Sequence, residues 1–335
     1  MTQSSSTGTL GTAPVAADPL SAFVSLPFHH VLFPYGFPLH IKSTDITAIR
    51  AAELCWGGTN ARFREQPIEL RFVISESVRR RQPAVPVFRA QSNLLAIVAD
   101  RNNFALCDLS AGFASAFLSK AALAHPDYFR FHFLEAMTYT LLDTKHLVAI
   151  HAACVTYKRA GFLLVGDSGA GKSTLAYACA RRGWCYISDD ATSLVRRRKG
   201  RTVLGGGSTF RFRPSISALF PELSAPARVR NNKPTIEVAA RPLSIQTGEE
   251  AEIQFVIFLN RSQGEAKPPR LESVTPEAAL PRLFQQVWPP ELPIHEERLR
   301  AVENLLDAQL YDFFYSDLDQ AIDHLQQLIS RGTAA

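Results

Sequence analysis

Gly166-Asp-Ser-Gly-Ala-Gly-Lys-Ser173 reads G-x-x-x-x-G-K-S, and the rest of this 335-residue chain is best understood outward from it. Gly166, Gly169 and Gly171 let the backbone curl so that successive N–H groups face one anion, a bend that a Cβ obstructs. A helix starting directly behind the loop adds the positive end of its dipole. In this pattern Lys172 reaches the β- and γ-phosphates of a nucleotide, and the Ser173 hydroxyl is a ligand for Mg²⁺. The expected cradle is Gly166, Asp167, Ser168, Gly169, Ala170, Gly171, Lys172, Ser173 and Thr174. The flanks agree with it. Gly161-Phe-Leu-Leu-Val165 is a short apolar run of the kind that forms a buried strand, and Ser173–Arg182 is helix-prone and stopped by Gly183.

Beyond Gly183, Trp184-Cys-Tyr-Ile-Ser188 is apolar and β-prone, and it ends in Asp189-Asp190. Two acids at the carboxyl end of a strand beside a phosphate loop suit two tasks: holding Mg²⁺, directly or through water, and accepting a proton from an attacking hydroxyl. A solvated Asp-Asp turn is the plain alternative. The order strand, loop, helix, strand, Asp-Asp separates the two, with only 17 residues from Lys172 to Asp189.

On these residues the chain resembles the catalytic domain of HPr kinase/phosphorylase, a group related in fold to phosphoenolpyruvate carboxykinases. The resemblance rests on the 166–173 loop, Arg182-Gly183 and Asp189-Asp190. It also takes in Leu147–Thr156, which matches the strand on which the family carries a histidine near the phosphates, and His151 occupies that place. It covers about residues 146–205 well and the rest of the C-terminal half loosely. It implies ATP on the loop, Lys172 against the β/γ-phosphates, Ser173 on Mg²⁺ and Asp190 as general base. Asp189 would support the metal or Lys172, and His151 would contact the reacting phosphate. The implied fold class is α/β, with an HPr kinase/PEP carboxykinase-like P-loop domain preceded by a smaller α+β domain.

The chain departs from the family pattern in three places. Thr174 stands where Glu is common, and Ala152 follows the histidine where Gly is usual. No copy of the long signature segment with its further metal-binding Glu is found between 205 and 240. HPr as substrate and phosphorolytic activity are therefore not carried over. The fit is closer to the broad class of HPr-kinase-like proteins, which includes kinases of peptide-modifying pathways such as lasso-peptide biosynthesis. The function expected is an ATP/Mg²⁺-dependent kinase acting on a serine hydroxyl of a protein or peptide. The alternative is a nucleotide-binding switch or ATPase without transfer to a protein. The resemblance also implies a homo-oligomer.

Composition sets outer limits. A chain this long exceeds one typical domain, and with 46% hydrophobic and 20% charged residues it can bury sizeable cores. The expected division is a disordered leader over 1–18, an α+β unit over 19–145 and the catalytic unit over 146–335. Cys55, Cys107, Cys154, Cys179 and Cys185 form no metal spacing and read as reduced core residues of a cytoplasmic protein. No apolar stretch is long enough to span a membrane. The net charge of +5 is partly concentrated in Arg196–Arg201, between the β-prone runs Thr192–Val195 and Thr202–Leu204, and reads as a solvated hairpin tip rather than a nucleic-acid surface.

Elsewhere, Phe37–Lys42 reads as a strand, Ser43-Thr-Asp45 as caps for a helix through Trp56, and Ile68–Ile74 as a half-buried strand. Leu94–Ala99 and Asn103–Asp108 suggest paired strands. Tyr128–Leu142 reads as a core-packing helix and Ile253–Leu259 as a strand extending the catalytic sheet. Leu318–Ile329 reads as a closing amphipathic helix. Arg211, Arg213, Arg228, Arg230 and Lys233 are candidates for stabilising a transferring phosphate. Lys233, in a Pro- and Asn-rich loop, is the first to test.

Overall fold

Alternating and continuous apolar runs sort the chain into two main sheets. The computed structural model describes residues 24–76, 81–189, 192–196, 200–206, 209–230, 233–262, 267–288 and 296–332. The leader over 1–18, Asp190 and the tip residues 197–199 lie outside the described residues.

The first sheet contains β1 (Phe28–Leu32), β2 (Leu39–Ser43), β3 (Ile68–Ser75), β4 (Val87–Gln91), β5 (Leu94–Asp100), β6 (Asn103–Asp108) and β7 (Phe113–Ser119). They run in the order β1-β2-β3-β7-β6-β5-β4. The alternation at Ile68, Leu70 and Phe72 turns these three side chains inward, as the period of two requires. Asp45 caps the helix Ile46–Trp56, its carboxylate accepting from the Thr47 N–H at 2.8 Å. A helical stretch runs from Pro126 through a π segment at Arg130–Glu135 to Lys145. It buries Phe129, Phe133, Met137 and Leu141 against the sheet.

The second sheet takes β8 (Leu147–Ile150), β9 (Ala152–Tyr157), β10 (Ala160–Val165), β11 (Cys185–Ser188), β12 (Thr192–Val195) and β13 (Thr202–Leu204). After a small three-stranded sheet of β14 (Thr209–Phe212), β15 (Arg228–Arg230) and β16 (Lys233–Ala239), the chain returns to it. It does so with β17 (Glu250–Arg261), β18 (Arg270–Ser273), β19 (Val287–Trp288) and β20 (Gln309–Tyr315). β10 is apolar throughout because both of its faces are covered. Phe162 and Leu164 pack beneath the helices Lys172–Arg181 and Leu318–Gly332. Leu163 and Val165 pack on the other face with Ala279, Leu283 and Val302. The result is an α/β sandwich of helix, sheet and helix.

Two expectations need correction here. Leu147–Thr156 is not one strand: β8 and β9 are separated at His151, because β8 pairs with β12 and β19 while β9 pairs with β10 and β11. Arg196 is not part of a solvated tip. Its guanidinium is buried, donating to the backbone carbonyls of Asp143 and Thr144 and pairing with Glu297 at 2.8 Å. The expected hairpin itself forms, with β12 antiparallel to β13. Of the five cysteines, Cys107, Cys154 and Cys179 are buried and all five are free thiols. No helix among the described residues is long and apolar enough to cross a membrane.

Candidate functional site

Sheet direction brings the motif residues to one edge. β10, β17 and β20 are parallel, and β11 runs the same way because both it and β10 are antiparallel to β9. Their carboxyl ends therefore open on a common side, at Gly166, Arg261, Tyr315 and Asp189, where open α/β sheets bind ligands. β9 runs the opposite way and begins there: Ala152 is the register partner of Val165, which sets His151 opposite Gly166. Its backbone N–H donates to the Gln286 carbonyl at 2.7 Å.

The loop adopts the conformation its glycines permit. Gly169 and Gly171 hold φ of +97° and +94°, in the left-handed region that other residues avoid, and Gly171 is the N-cap of the Lys172–Arg181 helix. Lys172 is only 6% exposed. Its ammonium folds back onto the loop, donating to the carbonyl oxygens of Gly166 at 2.6 Å and Asp167 at 3.2 Å. The Ser173 hydroxyl donates to the Asp189 backbone carbonyl at 3.3 Å, tying the helix start to the end of β11.

Asp189 is 4% exposed, and its Oδ2 accepts from the Arg211 backbone N–H at 2.5 Å. Phe210 and Phe212 turn into the core around Tyr177, so the Arg211 side chain lies on the other face of β14, beside its register partner Glu237. The Arg211 Nε donates to Glu237 Oε1 at 3.1 Å. Burial works against its charge, but Asp189 and Glu237 outweigh burial and raise its pKa. Arg213 Nη2 donates to the Ser168 hydroxyl at 3.0 Å, so this guanidinium already touches the loop.

Of the five basic candidates, Arg211 and Arg213 thus reach the site. Arg228 and Arg230 lie on β15, and Lys233 opens β16 as the partner of Arg230 rather than lying in a loop. Sequence reasoning missed four residues. Glu237 orients Arg211, Arg261 ends β17, which pairs with β10, and Tyr315 ends β20, which pairs with β17. Tyr35, between β1 and β2 of the first sheet, sits in a left-handed conformation at φ +52° with its hydroxyl near Ser193. Only the β17 run itself carried a sequence signal, as a strand extending the catalytic sheet.

The donor set suits a hard cation. Among the described residues no group of three or more His, Cys, Asp or Glu side chains could hold a metal by itself. The Ser173 hydroxyl and Asp189 offer oxygen ligands beside the loop. Two protein ligands completed by phosphate oxygens and water match the habit of Mg²⁺, which keeps much of its hydration. The arrangement can therefore bind an anion through amides and cations, with a carboxylate alongside.

No protein-family model matches the chain. Over 58 residues, 17% of the chain, it is 38% identical to an Oceanobacillus iheyensis protein described as "Putative HPr kinase/phosphorylase 2". The chain spans only 19% of that relative's length. Over that stretch the chain is HPr kinase/phosphorylase-like. A solved structure of the HPr(Ser) kinase/phosphatase from Coxiella burnetii aligns with 55% of this chain and 98% of that one, at 14% identity. Its TM-score of 0.30 is too low to argue a shared fold.

Proposed function

We propose that this chain is an ATP- and Mg²⁺-dependent kinase that phosphorylates a serine hydroxyl on a protein or peptide. In this proposal an HPr kinase/PEP carboxykinase-like P-loop domain spans 146–335, with a smaller α+β domain over 19–145. The observation that carries it is the meeting of Lys172, Ser173, Asp189 and Arg213 at one sheet edge, on a loop whose glycines hold an anion-binding curl. The likeness to HPr kinase/phosphorylase over 58 residues supports the same chemistry.

In the proposed reaction Lys172 leaves the Gly166 and Asp167 carbonyls and turns its ammonium to the β/γ-phosphates. Arg213, resting on Ser168, faces the charge that develops on the transferring group. Arg211 holds the Asp189 carboxylate through its backbone N–H while the Asp189 carbonyl accepts from Ser173, and Asp189 and Ser173 would hold the metal. Bound Mg²⁺ would neutralise phosphate oxygens and favour in-line displacement. Asp190, the next residue in the chain, is the proposed base that takes the serine proton, with His151 at the loop mouth near the reacting phosphate. Because phosphoryl transfer asks for little covalent chemistry from the protein, positioning and charge account for most of the rate.

Incubation with γ-labelled ATP and candidate peptides tests this proposal. Label on a peptide serine, lost in Lys172→Ala, supports it. Free phosphate alone indicates an ATPase, and neither product indicates a switch. Asp190→Asn should keep ATP binding and lose transfer, and full transfer by that variant would place the base elsewhere.

A further inference from the structure

We infer that Arg261 and Tyr315 form a second wall of the polyphosphate site, with Arg261 as a phosphate-contacting cation and Tyr315 as a positioning residue for Gly171. This rests on the nucleotide-binding proposal and adds residues to it. Arg261 and Tyr315 end adjacent parallel strands and are register partners, fastened by the Ser262 N–H donating to the Tyr315 carbonyl at 2.9 Å. Both lie against the helix N-cap. A Cβ placed on Gly171 would sit 3.1 Å from the Tyr315 hydroxyl, 3.5 Å from Arg261 Cδ and 3.9 Å from its Nη1.

Two features of this corner lack an explanation in the protein alone. Tyr315 is 2% exposed, yet its hydroxyl has no hydrogen-bond partner among the described residues. A buried hydroxyl left unpaired is costly, and such groups ordinarily find a partner. Arg261 is half-buried and, among the described residues, its side chain has no hydrogen bond or ion pair; its charge acts on the Tyr315 hydroxyl. A cation at the positive end of a helix, beside its Gly171 N-cap, is electrostatically unfavourable unless an anion joins it. With Arg213 at Ser168 and Arg261 at Gly171, two guanidinium groups approach the loop three residues apart. That arrangement fits a ligand bearing several phosphate charges better than a single phosphate.

Displacement of a fluorescent ADP analogue by ATP, ADP and inorganic pyrophosphate, together with thermal melts of the ligand-free protein, tests the inference. Arg261→Ala should weaken all three ligands by about ten- to a hundred-fold, the range for losing one hydrogen bond to a charged group. Arg261→Lys should recover part of that loss, and the ligand-free melting temperature should stay at the wild-type value. Tyr315→Phe removes a hydroxyl that has no partner, so its ligand-free melting temperature should hold or rise while affinity falls roughly three- to ten-fold. Wild-type affinity in Arg261→Ala overturns the arginine assignment while leaving nucleotide binding intact. A lower ligand-free melting temperature in Tyr315→Phe overturns the tyrosine assignment. A wild-type protein that binds none of the three ligands overturns both the inference and the function it rests on.

Discussion

Replacing Lys172 by Met separates the loop contacts this ammonium makes in the structure from the phosphate contact proposed for it. In the free protein it donates to the Gly166 carbonyl at 2.6 Å and the Asp167 carbonyl at 3.2 Å. Gly166 is half-buried and Asp167 exposed, so both carbonyls can turn to water when the donor is removed, and Met fills most of the vacated aliphatic space. The ligand-free protein should therefore change by no more than about 1 kcal/mol. Nucleotide binding should change far more, because a charge-assisted contact to phosphate is worth about 1.5–3 kcal/mol and its loss weakens binding by up to about a hundred-fold. Linkage turns this into a melting shift. Ligand at a hundred times its Kd stabilises the fold by about 2.7 kcal/mol, and at equal concentration with a hundred-fold weaker Kd by about 0.4 kcal/mol. At roughly 2 °C per kcal/mol for a chain of this size, an ADP-induced rise of about 5 °C shrinks to about 1 °C. Differential scanning fluorimetry with and without ADP-Mg²⁺ measures both quantities. An undiminished rise in Lys172→Met would show that the loop does not hold phosphate as proposed.

Three further outcomes follow from particular contacts. Asp189→Asn keeps an acceptor for the Arg211 N–H but removes the charge, so stability should fall by about 1–2 kcal/mol in urea denaturation, and nucleotide affinity should lose its dependence on Mg²⁺ in paired titrations. Gly171→Ala should cost about 1–2 kcal/mol and weaken ADP binding, because Ala at φ +94° is strained and its Cβ meets the Tyr315 hydroxyl. Combining it with Tyr315→Phe should relieve only the second part. Burial pushes the Asp143 carboxyl up to about 6, although Arg298 and Arg196 pull it down, against about 3.9 when unfolded. The native state thus holds this proton more tightly. The stabilisation it gives is complete below about pH 4 and lost as pH rises through about 6, a change of about 3 kcal/mol from this group. Asp143→Asn should flatten that part of the stability profile in urea denaturation at pH 4 to 7.

The glycine loop at 166–173, its strand and its helix were legible because local chemistry sets them: glycines at the turns, a doubly covered apolar run before, and a left-handed Gly183 at φ +83° after. Asp189 was legible because only one helix and one strand separate it from Lys172. Arg261 and Tyr315 were not, since they lie 89 and 143 residues beyond Lys172 and meet the loop only because their strands run parallel to β10. Continuous apolarity over Leu147–Thr156 reported burial on both faces but not which neighbours each half would pair with, so the break at His151 was hidden. Arg196 shows the same limit for charge, since a basic run reads as solvated until backbone carbonyls and Glu297 converge on one member. The division near residue 145 is where this limit has most consequence. Leu147, Val195 and Leu204 lie beyond it yet pack in the first core, Phe37 stacks on His146 at 4.8 Å, and Arg62 pairs with Glu250. Tyr35 crosses the same division to reach Ser193, on the strand that follows Asp189. Residues whose burial depends on the other sheet tie the two units mechanically, so a chain cut at 145 would expose part of the first core and break the Arg62–Glu250 pair together.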